Sequence, residues 1–110
     1  MNSQELEVAR RLKLNLVVMV LNDGSYGMIR WKQQLAGFDD WGLEFNNPDF
    51  VRYAESYGIS GHRIESTEDL VPVLDKAFES GGVHLVDVPI DYSQNTKVLI
   101  DQLAEKVCVL

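Results

Sequence analysis

Apolar residues along the chain follow two rhythms, and the rhythms alternate. Leu6, Ala9 and Leu12 recur at helical spacing, which predicts a helix over residues 3–12 with Asn2 and Glu5 spaced as a capping box. Residues 14–21 are then a run of Leu, Val and Met with no polar alternation after Asn15, the pattern of a strand covered on both faces. Met28, Trp31, Gln34 and Leu35 return to spacings of three and four and predict a helix over 28–35. The stretch AGFDDWGLEFNN, residues 36–47, breaks the rhythm. It reads as a loop whose Phe38, Trp41 and Phe45 make it long and apolar enough to cover something.

The second half repeats the alternation. Asn47 as N-cap and Pro48 at the first helical position predict a helix with Phe50, Val51, Ala54 and Tyr57 on one face and Gly58 at its end. Residues 61–65 form a short strand. A helix from Ser66 or Thr67 carries Leu70, Leu74, Ala77 and Phe78 inward, has an early turn that Pro72 makes irregular or a start that it moves later, and stops at Gly81-Gly82. Residues 83–90, VHLVDVPI, form a second buried strand, and 98–107 are a last helical pattern. Strands alternating with helices imply an α/β fold, a three-layer αβα arrangement with a mainly parallel sheet. The 110 residues suit one small domain, with no linker and no repeat. A helix precedes the first strand, so the chain is expected to begin inside a larger design.

Charge and composition narrow the function classes. A net charge of −7 argues against nucleic acid as a partner, and Arg10, Arg11 and Lys13, the one local basic cluster, read as a solvated helix end. The longest apolar run, residues 16–21, is too short to cross a bilayer, and the N-terminus lacks a signal-peptide core. The expectation is a soluble, cytoplasmic chain with no membrane partner. Cys108, the single cysteine, excludes an internal disulfide and a cysteine-based zinc site.

Chemistry concentrates where the first strand stops, at Asn22-Asp23-Gly24-Ser25-Tyr26-Gly27. Ligands of open parallel sheets sit beyond the carboxyl ends of the strands, and a following helix N-terminus favours phosphate. Asp23 offers a hard carboxylate oxygen, and Mg²⁺ takes few protein ligands and completes its shell with substrate phosphates and water. Taken alone the stretch leaves a plain turn open, since Asp-Gly after a strand is a common turn signal. No P-loop and no G-x-G-x-x-G occurs.

The run MNSQELEVARRLKLNLVVMVLNDGSYGMIRWKQ resembles the second half of the thiamine-diphosphate motif, in which a Gly-Asp-Gly is followed after about two dozen residues by Asn or Asp at a strand end. NSQELEVARRL is similar to the helix after Gly-Asp-Gly in acetolactate synthases, catalytic subunit. FDDWGLEFNNPDFVRYAESYG and GGVHLVDVPIDYSQN are similar to the same group, so the resemblance spans essentially the whole chain. It implies most of a C-terminal pyrophosphate-binding domain, the cofactors thiamine diphosphate and Mg²⁺, and FAD in the full-length parent only. The implied parent reaction is decarboxylation of pyruvate and condensation with a second 2-ketoacid, in branched-chain amino-acid or acetoin formation, within a homo-oligomer.

In that family one metal ligand is the Asp of Gly-Asp-Gly, which this sequence lacks. The second stands five residues before a bulky apolar residue facing the cofactor. Met28 matches that residue, which places the ligand at Asp23 and leaves Asn22 as rival; the Ser25 carbonyl completes the protein's share. Tyr26, Gly27 and Met28 would approach the diphosphate and thiazolium. Aldehyde-releasing relatives carry Glu where this chain has Ile29, and an apolar wall there suits condensation. No residue here is implied to be catalytic, because the glutamate that activates the cofactor belongs to another domain, and the chain alone is expected to be inactive. Two other readings stay open: a non-catalytic binding or assembly module, and a piece of another thiamine-diphosphate enzyme of pyruvate oxidase or benzoylformate decarboxylase type. His62 and His84 read as structural histidines and Asp87 as a buried, hydrogen-bonded carboxylate. Trp31 reads as core and Trp41 as a loop residue folding over the site, with Asp39 and Asp40 facing solvent.

Overall fold

The computed structural model describes residues 3–93, so the expected 98–107 helix, Asn2 of the capping box and Cys108 lie outside the described residues. The described elements are α1 (Glu5–Arg11), β1 (Leu16–Asn22), α2 (Gly27–Leu35), α3 (Phe50–Ser56), β2 (Ser60–Arg63), α4 (Leu70–Ser80) and β3 (Val83–Pro89). Among the described residues they divide into two compact units, one of residues 3–22 with 46–89 and the other of residues 23–45 with 90–93. The α/β expectation holds: a parallel sheet in the order β1-β3-β2 fills the first unit.

β3 is central because its sequence tolerates burial on both faces; six of its seven residues are buried. Side chains alternate along a strand. Val83 and Leu85 face one way and join Leu6 and Ala9 of α1, Ala54 of α3 and Ile59, with Val18, Val20, Phe50, Tyr53 and Tyr57 packed at the margin. His84 faces the other way and meets Ser80 at the end of α4, 3.2 Å from its hydroxyl. Gly61 is set by packing. A Cβ there would stand 2.7 Å from the Val51 carbonyl oxygen, so β2 and α3 can touch only through a glycine.

Several local expectations need correction. The helix after the loop is capped by Asp49, not Asn47: its carboxylate accepts the N–H groups of Val51 and Arg52, and Pro48 lies outside the helix. A side chain that reaches two backbone donors outcompetes one placed two residues earlier. The irregular turn at Pro72 is real: Thr67–Asp69 is a 3₁₀ turn with a Ser66–Asp69 capping box, and α4 starts at Leu70. Phe78 of α4 is exposed, whereas Ala77 beside it is buried. β1 is an edge strand, and Met19 and Leu21 are open to solvent, so it is not covered on both faces. Unbroken apolarity reports a buried environment but cannot say which strand takes the centre. No helix of the described residues is long and apolar enough to cross a membrane.

The carboxyl ends of the three strands are tied by one acid. Asp87 is 1% exposed. Its Oδ1 accepts from Asn22 Nδ2 of β1 at 3.0 Å, and its Oδ2 accepts from Arg63 Nε of β2 at 3.0 Å. Arg63 also lies 3.9 Å from Asp49, the cap of α3. Hydrogen bonding to Asp87, and then its charge, hold the guanidinium's pKa above the ordinary value. Arg63→Ala strands a buried carboxylate and should lower the urea midpoint clearly, though by less than breaking a fully enclosed pair because Arg63 is partly solvated. Urea unfolding of the variant measures this, and a loss near zero would remove Asp87 from the role.

On the opposite face His62 Nε2 lies 3.0 Å from His84 Nδ1 with the rings stacked, and His84 Nε2 reaches the Gly81 carbonyl at 2.9 Å. One tautomer satisfies the chain: His62 donates to His84, which donates to Gly81. Both histidines are thus structural, as expected. Burial first, then the His84 and Lys76 charges, push the His62 pKa below its ordinary 6.5. The unfolded chain therefore binds a proton at pH values where the folded chain does not. The contribution of His62 is present above pH 6.5 and is lost as the pH falls below it, and His62→Asn should flatten that decline in urea titrations run from pH 7.5 to 5.5.

Candidate functional site: the turn after β1 and the start of α2

Asp23, Gly24, Ser25 and Tyr26 carry the chain from the last residue of β1 into α2. Asp23 bends back on itself, its Oδ1 accepting from the Ser25 N–H at 3.2 Å. Ser25 is buried and forms a lone antiparallel bridge with Glu44, closed by the Tyr26 N–H donating to Leu43 O at 3.0 Å. Ser25 therefore stays outside the helix. No backbone N–H of the described residues outside helices and strands donates to its carbonyl.

Gly27 is where the site is tightest. A Cβ there would lie 2.6 Å from Asp23 Oδ2 and 3.1 Å from Cε2 of Tyr92. Both groups occupy space that only a glycine leaves open. α2 has no side-chain cap at Tyr26 and no acidic residue in its first turn. Its leading N–H groups and dipole are thus free to meet an anion. Asp23, Ser25, Gly27, Trp31 and Tyr92 line two adjoining recesses. The more polar one, about 350 Å³, adds Arg30, Gln34, Ile90, Asp91 and Ser93. The apolar one, about 490 Å³, adds Tyr26, Met28 and Ile29. The Trp31 Nε1 is buried with no hydrogen-bond partner among the described residues, a donor left over beside these recesses.

All five residues expected at the site, Asp23, Ser25, Tyr26, Gly27 and Met28, come together here. Asn22, the rival ligand, belongs to the sheet unit: its Nδ2 goes to Asp87 and its Oδ1 accepts from Asn47 Nδ2 at 2.7 Å. Its side chain is engaged at both ends. Trp31 is a lining residue more than a core one, since no residue of α2 is buried.

The loop after α2 does not bring Trp41 over the site. Gln33 of α2 pairs with the Trp41 backbone, donating to its carbonyl and accepting its N–H at 3.3 Å each. The indole is left 84% exposed. Asp40 is exposed, as expected, and it also accepts from Gln34 Nε2 and lies 3.0 Å from Arg30 Nε, close enough for an ion pair though out of line for a hydrogen bond. Leu43 is the residue the loop buries, and Tyr26 packs on Phe45 with ring centres 4.7 Å apart. Polar side chains on one face of α2 thus hold the loop, and Phe38 and Trp41 are left exposed.

Sequence reading missed Asp91, Tyr92 and Ser93. Asp91 accepts the Ser93 N–H and O–H, each at 2.8 Å, and these bonds hold its pKa below the usual carboxylate value. The signal was available: these residues follow a buried parallel strand, the same position that drew attention to Asp23.

Comparison with known proteins gives the family. The thiamine pyrophosphate enzyme C-terminal TPP binding domain matches residues 1–88. Acetolactate synthase of Bacillus subtilis (strain 168) is 38% identical over 105 residues, covering 96% of this chain and 18% of that protein. The catabolic acetolactate synthase of Raoultella terrigena is 37% identical over 93% of this chain and 18% of its own length. A solved structure, the thiamine diphosphate-dependent 4-hydroxybenzoylformate decarboxylase of Rhodococcus jostii RHA1, superposes with a TM-score of 0.68 at 30% identity, over 80% of this chain and 17% of that one. The chain thus spans less than a fifth of the length of each of these proteins. The chain belongs to the thiamine pyrophosphate enzymes as a C-terminal TPP-binding domain.

Proposed function

We propose that this chain supplies the Mg²⁺–diphosphate half-site of an acetolactate synthase. One observation carries the reading: the Asp23 carboxylate is held over Gly27 beside the uncapped start of α2. The residues present fit the group. Asp23 offers a carboxylate and Ser25 a carbonyl outside the helix, two hard oxygen donors of the kind Mg²⁺ accepts. The Gly27 and Met28 N–H groups at the helix start suit diphosphate oxygens, and a Cβ at position 27 would fill the cradle. Asn22 is spent on Asp87 and Asn47, which favours Asp23 as the metal ligand.

Thiamine diphosphate, when bound, supplies the electron sink for decarboxylating a 2-ketoacid. This chain's own residues bind and orient it. Met28 and Ile29 stand exposed at the apolar recess and offer no proton there, which supports condensation with a second 2-ketoacid over release of an aldehyde. The names of the Bacillus and Raoultella relatives point the same way. A cytoplasmic homo-oligomer fits this reading. An assembly role has its own support in Phe38 and Trp41, both largely exposed on a loop that α2 pins in place.

Calorimetric titration tests the half-site. Thiamine diphosphate should bind only with Mg²⁺ present, and Asp23→Asn should weaken binding at least about tenfold by removing the anionic ligand. Binding indifferent to Mg²⁺ or to Asp23→Asn would overturn the reading. With pyruvate, Mg²⁺ and cofactor supplied, the chain alone should form no acetolactate.

Gly27→Ala should be as damaging as loss of the carboxylate, since the new methyl displaces Asp23 Oδ2 or the Tyr92 ring. The expected result is Mg²⁺-dependent binding weakened about tenfold or more, with far-UV circular dichroism unchanged because alanine favours helix. Undiminished binding by Gly27→Ala would mean that the close approach is irrelevant to the ligand.

A further inference from the structure

Resting on the half-site reading, we propose that Tyr92 is a further cofactor-contacting residue, its ring forming the wall between the polar recess that takes Mg²⁺–diphosphate and the apolar recess that takes the thiazolium arm. Three observations carry this. First, Tyr92 belongs to the lining of both recesses, and so do Asp23 and Gly27. Secondly, its ring edge lies against Gly27, with Cε2 and Cδ2 at 3.1 and 3.2 Å from the place a Cβ would occupy. The ring and the Asp23 carboxylate therefore converge on one backbone position, the first residue of α2. Thirdly, the backbone around the ring is fixed in advance. Asp91 accepts both the N–H and the O–H of Ser93, closing a turn with Tyr92 at its centre.

A half-exposed aromatic ring held this way retains apolar surface that the fold does not use. Few rotatable bonds and a pre-set backbone make such a surface cheap to order on binding. The contact with Gly27 is made by the ring edge, so the ring and not the phenol hydroxyl does the work. The residues that the two linings do not share differ in kind: Arg30, Gln34, Asp91 and Ser93 with a single apolar residue, Ile90, on one side, and Tyr26, Met28 and Ile29 on the other.

The test uses the full chain with thiamine diphosphate and Mg²⁺ in calorimetry, and three variants. Tyr92→Phe keeps the ring and should bind within about twofold of the parent chain. Tyr92→Ala removes the wall, and Tyr92→Leu keeps bulk against Gly27 but loses the flat face; each should weaken binding about tenfold. The ligand-free melting temperature of Tyr92→Leu should stay near that of the parent chain, which a merely structural role would not allow alongside lost affinity. If Tyr92→Leu and Tyr92→Ala bind like the parent chain, or if Tyr92→Phe loses affinity as they do, the wall is overturned while the half-site stands. If the parent chain itself shows no Mg²⁺-dependent binding, the half-site reading fails, and this inference with it.

Discussion

The sheet depends on a carboxylate that it buries. Asp87 is charged chemistry in a strand that otherwise reads VHLV-VPI, and an unpaired carboxylate there would be untenable. It is tolerated because its two oxygens face one donor from each flanking strand, Asn22 and Arg63. The consequence is geometric. The register of β1 and of β2 against β3 is fixed at the carboxyl ends, where Asn22 pairs with Pro89 and Arg63 with Asp87. The fold is therefore most tightly specified at the strand end from which the chain enters the candidate site.

That constraint also bears on which residue of Asn22-Asp23 is free to do chemistry. The pair looks interchangeable in sequence, since either side chain could offer an oxygen. In the structure Asn22 serves the sheet, donating to Asp87 and accepting from Asn47, and the carboxylate one residue later is turned toward Ser25 and Gly27. The division follows from chemistry. An amide carries both a donor and acceptors and can bridge an acid and a second amide, whereas a carboxylate could only repel Asp87.

Much of this was legible in the residues. The order of helices and strands follows from apolar periodicity and from punctuation at Gly58, Pro72 and Gly81-Gly82, because these signals are local. What was not legible depends on partners distant in sequence. Centrality in the sheet is such a property: residues 14–21 and 83–90 read alike, yet β3 is enclosed and β1 lies at an edge with Leu21 exposed. The N-cap of α3 turned on which of two polar side chains could reach the free N–H groups, and Asp49 reaches two. The aromatic loop misled because a long loop with a tryptophan suggests a cover. Its fate was decided by Arg30, Gln33 and Gln34, whose helical spacing puts them on one face of α2 and within reach of the loop's polar groups.

Gly27 shows how a single small residue can couple features that look independent. Its missing side chain lets a carboxylate from four residues earlier and a ring from far later in the chain approach the same turn of helix. Neither contact could be read from the motif, which supplies the glycine but not what presses on it. The start of α2 lacks a cap and an acidic first turn, which leaves a helix end underused by the fold itself. Carboxylate, ring and free N–H groups are brought to one place at some expense in local stability. Such a concentration of unspent interactions is expected where a ligand, and not the protein, completes the set.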